Sequence, residues 1–233
     1  MTRTLIIGDV HGCLVELNEL LTVASISTTD RVVFVGDLIG RGPNSLGVLD
    51  LVRHLNAKAV QGNHEQKLLE AYAAQCSGGD KIKLNAGQQQ LLKALRPEHW
   101  ATLMSLPLYL EFPEHQACVV HAGVLPGLPV AVQDPWVLTH IRSIDKRGQP
   151  SHEIGECPWA SSYRGPPHLI FGHSAQLGFQ MFEYATGLDS ACVYGGRLTG
   201  MLLDEGQQVP ALNQRFEVIV SVAARSIYHQ PQS

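Results

Sequence analysis

Three hydrophobic runs open the chain at regular intervals, and each breaks off into glycine followed by polar residues. Thr4-Leu5-Ile6-Ile7 leads into Gly8-Asp9-Val10-His11-Gly12. Val32-Val33-Phe34-Val35 leads into Gly36-Asp37-Leu38-Ile39-Gly40-Arg41-Gly42-Pro43, and Ala57-Lys58-Ala59-Val60 into Gly62-Asn63-His64-Glu65. A helical pattern follows each turn. Leu14, Leu17, Leu20 and Leu21 share one face, with Glu16, Asn18 and Glu19 on the wet side. Pro43-Asn44-Ser45 is a helix-start signal, continued by Leu46, Leu49 and Val52, and His64 to Gln75 reads as a third helix. Asp9, Asp37 and Asn63 recur at intervals of 28 and 26 residues, the length of a β-α unit. The opening therefore predicts a parallel half-sheet with right-handed crossovers.

The rhythm then changes. Residues 77–85 form a polar loop, and Asn85 with Gln88 makes a capping box for a helix to Leu95. Pro97 stops that helix and starts another through Trp100 and Leu103. From residue 108 the chain reads as strands: 108–112, 117–120, 168–171, 179–182, 201–203 and 216–220. Several links are too short for a helix, which predicts a mostly antiparallel second half. An α/β class results, with two stacked sheets flanked by helices. Residues 133–167 lack periodicity and read as a long functional loop; the tail after Ile227 reads as frayed.

Composition narrows the class. The chain has 233 residues, 45% hydrophobic and 16% charged, which suits one well-buried domain over 1–233 and is short for two. A net charge of −4 leaves no basic stripe for non-specific nucleic-acid binding, and nothing points to sequence-specific binding. No apolar run approaches the ~18 residues of a membrane span, and Leu5-Ile6-Ile7 reads as a strand rather than a signal peptide. Five scattered cysteines without a Cys-x-x-Cys read as free thiols, implying a cytoplasmic, reducing setting. Oligomeric state is not written in the sequence.

Candidate chemistry sits at the strand ends. Side chains just past the carboxyl ends of adjacent parallel strands converge on one crevice. Asp9, His11, Asp37 and Asn63 occupy such positions, as do His121 after Cys118-Val119-Val120 and His173 after Ile170-Phe171-Gly172. Two acids, an amide and three imidazoles at buried strand ends without charge partners would cost several kcal/mol, roughly. As metal ligands they make sense. One cation takes Asp9, His11 and Asp37, and the other takes Asp37, Asn63, His121 and His173. Asp37 is then the bridge between two cations ~3.5–4 Å apart. This mixed oxygen and imidazole set suits two divalent transition metals, manganese first, with iron or zinc as alternatives.

The strings GDVHG, GDLIGRGP, GNHE, HAG and GH stand here in the order found in the calcineurin-like metallophosphoesterases, and the chain resembles that superfamily over roughly residues 4–205. Within it, the stretches 163–173 and 185–196 resemble the ApaH-like phosphatases of the PPP-type branch, relatives of symmetrical diadenosine tetraphosphate hydrolases. The resemblance implies a four-layer α/β/β/α sandwich and places the family's metal ligands on the same six residues. It also puts a phosphate-gripping arginine on Arg41 and an active-site histidine on His64. Gly40 and Ser174 are departures: the phosphoprotein phosphatases carry Asp at the first position, and the ApaH-like group frequently carries Asp at the second.

The expected reaction is in-line attack on phosphorus by a metal-bridging hydroxide, with Arg41 as a bidentate clamp. Arg142 and Arg164, both in the long loop, are the candidates for a second clamp. Without an Asp partner, His64 is a weak proton donor, which favours phosphoanhydrides whose leaving group departs as a stable anion. The substrates expected are diadenosine tetraphosphate-like nucleotides or other polyphosphate chains; the alternative is a serine/threonine protein phosphatase.

Overall fold

The computed structural model describes residues 2–230. The opening forms β1 (Thr4–Ile7), α1 (Leu14–Val23), β2 (Arg31–Phe34), α2 (Ser45–His54), β3 (Lys58–Ala59) and α3 (Asn63–Ser77). The middle adds α4 (Ala86–Ala94), α5 (Pro97–Met104), β4 (Tyr109–Phe112), β5 (Ala117–Val120), α6 (Pro135–His140), β6 (Ser143–Ile144) and β7 (Pro150–Ser151). After α7 (Trp159–Ser162) come β8 (His168–Phe171), β9 (Gln180–Met181), β10 (Ala185–Gly187), β11 (Arg197–Leu203) and β12 (Ile219–Ala223). One sheet runs β12-β11-β1-β2-β3 and the other β4-β5-β8-β10-β9.

The continuous hydrophobic runs follow from burial on both faces. Ile6, Val33 and Val35 turn inward to meet Val119, Ile170 and Phe112 between the sheets. Their neighbours Leu5, Ile7, Val32 and Phe34 face outward onto Leu17 and Leu20 of α1 and Val48, Leu49 and Val52 of α2. On the far side Cys118, Val120, Leu169 and Phe171 pack under Leu138 and Trp159. Period-two alternation thus divides each strand between two cores, and four layers result.

The second half differs from the expectation at its centre. β4–β5 and β10–β9 are antiparallel, but β5, β8 and β10 run parallel. That centre aims the carboxyl ends of β5 and β8 at the same crevice as β1 and β2. β10 is three residues long and went unread for that reason. The last strand begins at Ile219, because Arg215–Val218 is wound into a 3-10 turn.

Residues 133–167 are structured rather than looped. α6, the β6–β7 hairpin and α7 are two to six residues each, too short to show a period. Their ties are tertiary: Ala122 N–H donates to the Leu138 carbonyl, and the Trp159 indole N–H donates to the Ala122 carbonyl at 3.0 Å. The Trp159 ring lies where a Cβ on Gly123 would stand, so the segment is clamped over the end of β5.

The start of the tail is held too. Tyr228 N–H donates to the Val193 carbonyl, and its hydroxyl donates to Glu16 Oε1 at 2.8 Å. The rest of the frayed-tail expectation, residues 231–233, lies outside the described residues. All five cysteines are free thiols. Among the described residues no helix is long and apolar enough to cross a membrane.

Candidate metal centre and active site

Four strand ends and one helix start deliver the site. Asp9 and His11 follow β1, Asp37 follows β2, Asn63 opens α3, His121 follows β5 and His173 follows β8. His11, Asp37, Arg41 and His173 all have positive φ, at 46°, 49°, 65° and 69°. Non-glycine residues there store about 1–3 kcal/mol each, and such strain gathers where function fixes a side chain's aim. Asp9, His11, Asp37, His121 and His173 are all at most 6% exposed.

Hydrogen bonds to carbonyls fix the imidazole tautomers, since a carbonyl only accepts. His121 Nδ1–H donates to the Val35 carbonyl at 2.8 Å, leaving a bare Nε2 lone pair 3.0 Å from Asn63 Oδ1 and 3.5 Å from Asp37 Oδ1. His173 Nε2–H donates to the His140 carbonyl, so its Nδ1 lone pair also faces Asn63 Oδ1, at 3.0 Å. Four lone-pair atoms therefore converge with no proton between them. A divalent cation is what satisfies such a set, and the residues fit one. Burial lowers the pKa of His121 and His173, which keeps both in the neutral, ligating form.

The other half of the site is held differently. His11 Nδ1–H donates to the Ile39 carbonyl, and its Nε2 accepts from Arg41 Nη1 at 2.7 Å while lying 3.4 Å from Asp37 Oδ2. Both oxygens of Asp9 accept the His173 backbone N–H, at 3.2 and 3.0 Å. Asp189, just past β10, lies against Asp9. Burial drives both acids up, Asp9 strongly and Asp189 to about 6. Two adjoining buried carboxylates cannot both ionise without a cation, so this side also fits a metal.

Burial pushes the other way at Asp37 as well, yet His121, His64, His11 and Arg41 around it hold its carboxyl well below the usual range. Its Oδ1 accepts the His64 backbone N–H at 3.0 Å, an anion seated on the N-terminus of α3. Glu65 anchors this junction, and sequence reading had assigned it no role. Its carboxylate accepts backbone N–H groups from Asp37, Gly62 and Ile39 at 2.8, 2.9 and 3.2 Å. Position three after the helix cap Gly62 was the available signal. Asp189 was missed with β10, although it too is an Asp just past a strand.

Removing Glu65 strands three buried donors at about 1–3 kcal/mol each. Glu65→Ala should therefore lower the stability of the metal-free protein by about 3 kcal/mol or more in urea unfolding. Glu65→Gln, which keeps an acceptor oxygen, should lose clearly less; equal losses would mean that the carboxylate is not the anchor.

The arginines separate. Arg41 also lies over the Tyr194 ring, 5.5 Å from its centroid. Arg142 Nη2 donates to the His173 carbonyl and Nη1 to the His152 carbonyl, which brings its half-buried guanidinium to the site. Burial and the facing Arg41 lower its pKa. Arg164 is exposed, and its hydrogen bonds go to the Ser161 and Tyr163 carbonyls of its own loop. The structure brings together Asp9, His11, Asp37, Arg41, Asn63, His64, His121, Arg142 and His173, and leaves Arg164 apart.

Space at Gly40 is not open. Its φ is 81°, and a Cβ there would lie 2.8 Å from His64 Nδ1. The turn and the packing of His64 both require glycine, so an aspartate cannot be placed there without displacing the imidazole. Burial, with Arg41 adding repulsion, lowers His64 to about 4. No hydrogen bond reaches its ring among the described residues.

A family model described as calcineurin-like phosphoesterase matches residues 2–177. The bis(5'-nucleosyl)-tetraphosphatase PrpE (asymmetrical) of Halalkalibacterium halodurans is 31% identical over 226 residues, 86% of this chain and 89% of its own. The protein of the same name from Bacillus mycoides is 29% identical over 230 residues, covering 88% and 92%. A crystal structure carrying the provisional name diadenosine tetraphosphatase superposes with a TM-score of 0.81 at 35% identity, over 96% of this chain and 94% of that one.

Proposed function

This chain belongs to the calcineurin-like phosphoesterase family, a metal-dependent hydrolase family, and on that premise we propose that it cleaves the phosphoanhydride chain of dinucleoside tetraphosphates. The reading takes residues 1–233 as one domain using two divalent transition metals, manganese first, within a reducing cytoplasm. When bound, the two cations bring the pKa of water into the neutral range and neutralise phosphoryl oxygens. His11, His121 and His173 would hold them through ring nitrogens, Asn63 through its carbonyl oxygen, and Asp9 and Asp37 through their carboxylates, with Asp37 shared between the two.

The remaining work falls to cations of the chain. Arg41 and Arg142 both lie within charge range of Asp9, Asp37 and Asp189, a pair of guanidinium groups suited to grip non-bridging phosphoryl oxygens. Arg164 is left out of this assignment because its bonds lie within its own loop. Water adds to phosphorus in line, and the bridging oxygen leaves as a nucleotide phosphate.

The observation that carries the substrate reading is the unpartnered His64. At about 4 its imidazole is neutral at pH 7, so it holds no proton for a poor leaving group such as a serine alkoxide. A departing phosphate needs none. The two curated relatives named for asymmetrical cleavage support a split into nucleoside monophosphate and nucleoside triphosphate.

The test compares diadenosine tetraphosphate with a phosphoserine peptide on the manganese-loaded protein. We expect the nucleotide to be preferred at least about tenfold in kcat/KM, a difference of about 1.4 kcal/mol, with AMP and ATP as the products. A faster phosphopeptide would overturn the reading in favour of a serine/threonine phosphatase.

A further inference from the structure

Beside the metal-ligand cluster a cleft of about 330 Å³ opens against Asn63, walled by Gln66, Lys67 and Glu70 of α3 on one side and by Trp136 and His140 of α6 on the other. Its aromatic wall is unusual for this chain. Trp100 and Trp159 are 7% and 2% exposed in the cores, whereas Trp136 is 37% exposed. The indole is nonetheless held in place. It lies parallel to the His140 ring (2°, centroids 5.6 Å apart), and His152 meets it edge-on at 6.2 Å. A large, rigid aromatic face left wet beside an active site is a preorganised stacking platform.

The opposite wall supplies charge and edge contacts. Gln66 is locked, its amide N–H donating to Glu70 Oε1 at 2.9 Å and its oxygen accepting from the Thr139 hydroxyl at 3.0 Å. Glu70 keeps a second carboxylate oxygen able to accept from an amine at a ring edge. Lys67, exposed on α3 one turn beyond Asn63, adds an ammonium to the lining of the same cleft.

We propose that this cleft binds a nucleobase of the substrate, stacked on Trp136 with its exocyclic amine toward Glu70, while Lys67 holds the phosphate next to the ribose. The polyphosphate then runs past Asn63 into the ligand cluster. The subsite rests on the nucleotide reading of the active site and adds to it the side chains that select a nucleotide over a bare phosphate chain. A peptide's aromatic ring would use the stack but has no edge amine for Glu70.

The experiment pairs diadenosine tetraphosphate with inorganic tripolyphosphate, which offers the same anhydride and no base. Stacking on one aromatic is worth about tenfold or more in binding. Trp136→Ala should raise KM for the dinucleotide at least about tenfold with a smaller change in kcat, and the kcat/KM ratio of dinucleotide to tripolyphosphate should fall accordingly. Trp136→Phe, which keeps a stacking ring, should recover most of that ratio. Equal losses on both substrates, or no loss, would overturn the subsite.

A binding readout separates this from failure of the function itself. AMP should quench tryptophan fluorescence saturably in the wild-type protein, and the quench should disappear in Trp136→Phe, whether or not the dinucleotide is turned over. A wild type that cleaves only phosphopeptide, yet shows this quench, would refute the substrate reading and keep the subsite. Quenching that survives in Trp136→Phe would refute the subsite.

Discussion

Asp37→Asn should abolish turnover, by about two orders of magnitude or more, while leaving the fold intact. The buried carboxylate lies 3.4 Å from His11 Nε2 and 3.5 Å from His121 Nε2, with Arg41 as the cation beside it. Removing one partner from a buried charge cluster costs about 3–5 kcal/mol, or about a hundredfold to several thousandfold in rate if the loss falls on the transition state. Backbone effects are minimal by design of the swap. Asparagine is isosteric, tolerates the positive φ at this position, and still accepts the His64 N–H through Oδ1. Steady-state kinetics with elemental analysis of bound metal and circular dichroism would check it. A folded variant with more than a few per cent of wild-type activity, roughly, would sink the bridging role.

Metal removal should have the second-largest effect, and it should show in stability as well as rate. Chelation should stop turnover reversibly, and manganese should restore it. A ligand that binds only the folded state adds about 2.7 kcal/mol at a hundred times its Kd. For a chain of this length that raises Tm by about 5–10 °C. Saturation should follow two steps. The half built from Asp37, Asn63, His121 and His173 has its lone pairs already converged. At the His11 half, a cation must first displace the Arg41 N–H from Nε2 and the proton shared by Asp9 and Asp189. Titration followed by elemental analysis should find up to two metals per chain, with the second weaker. One metal at saturation would remove the second site.

Much of this was legible because the informative positions are local. A strand that ends in Gly-Asp or Gly-His and turns into a helix is written within a dozen residues, so β1, β2, α1, α2 and α3 were read nearly to their ends. The same locality made Asp9, His11, Asp37, Asn63, His121 and His173 visible as candidate ligands just past strands. Illegible parts were those held by distant partners. β10 has three residues and owes its existence to pairing with β8 and β9, so Asp189 at its end stayed hidden. α6 and α7 are stabilised by bonds to the end of β5, and the β6–β7 hairpin between them by bonds to Cys157 and Trp159, not by any period of their own.

The choice between the two loop arginines shows the division most plainly. Arg142 and Arg164 are alike in sequence context, and only packing turns one toward the His173 carbonyl and the other onto its own loop. Gly40 is a second instance: its identity shows that an aspartate is missing, and only its φ and the nearby His64 ring show that no side chain fits there. By itself the sequence determined the two-sheet architecture, the candidate ligand types and their order along the chain, because hydrophobic period and turn chemistry act between neighbours. Tertiary structure alone decided which lone pairs converge without a proton, which carboxylates touch, and which cations face them. Those are distances between residues up to 164 positions apart, set by how two sheets pack rather than by any local pattern.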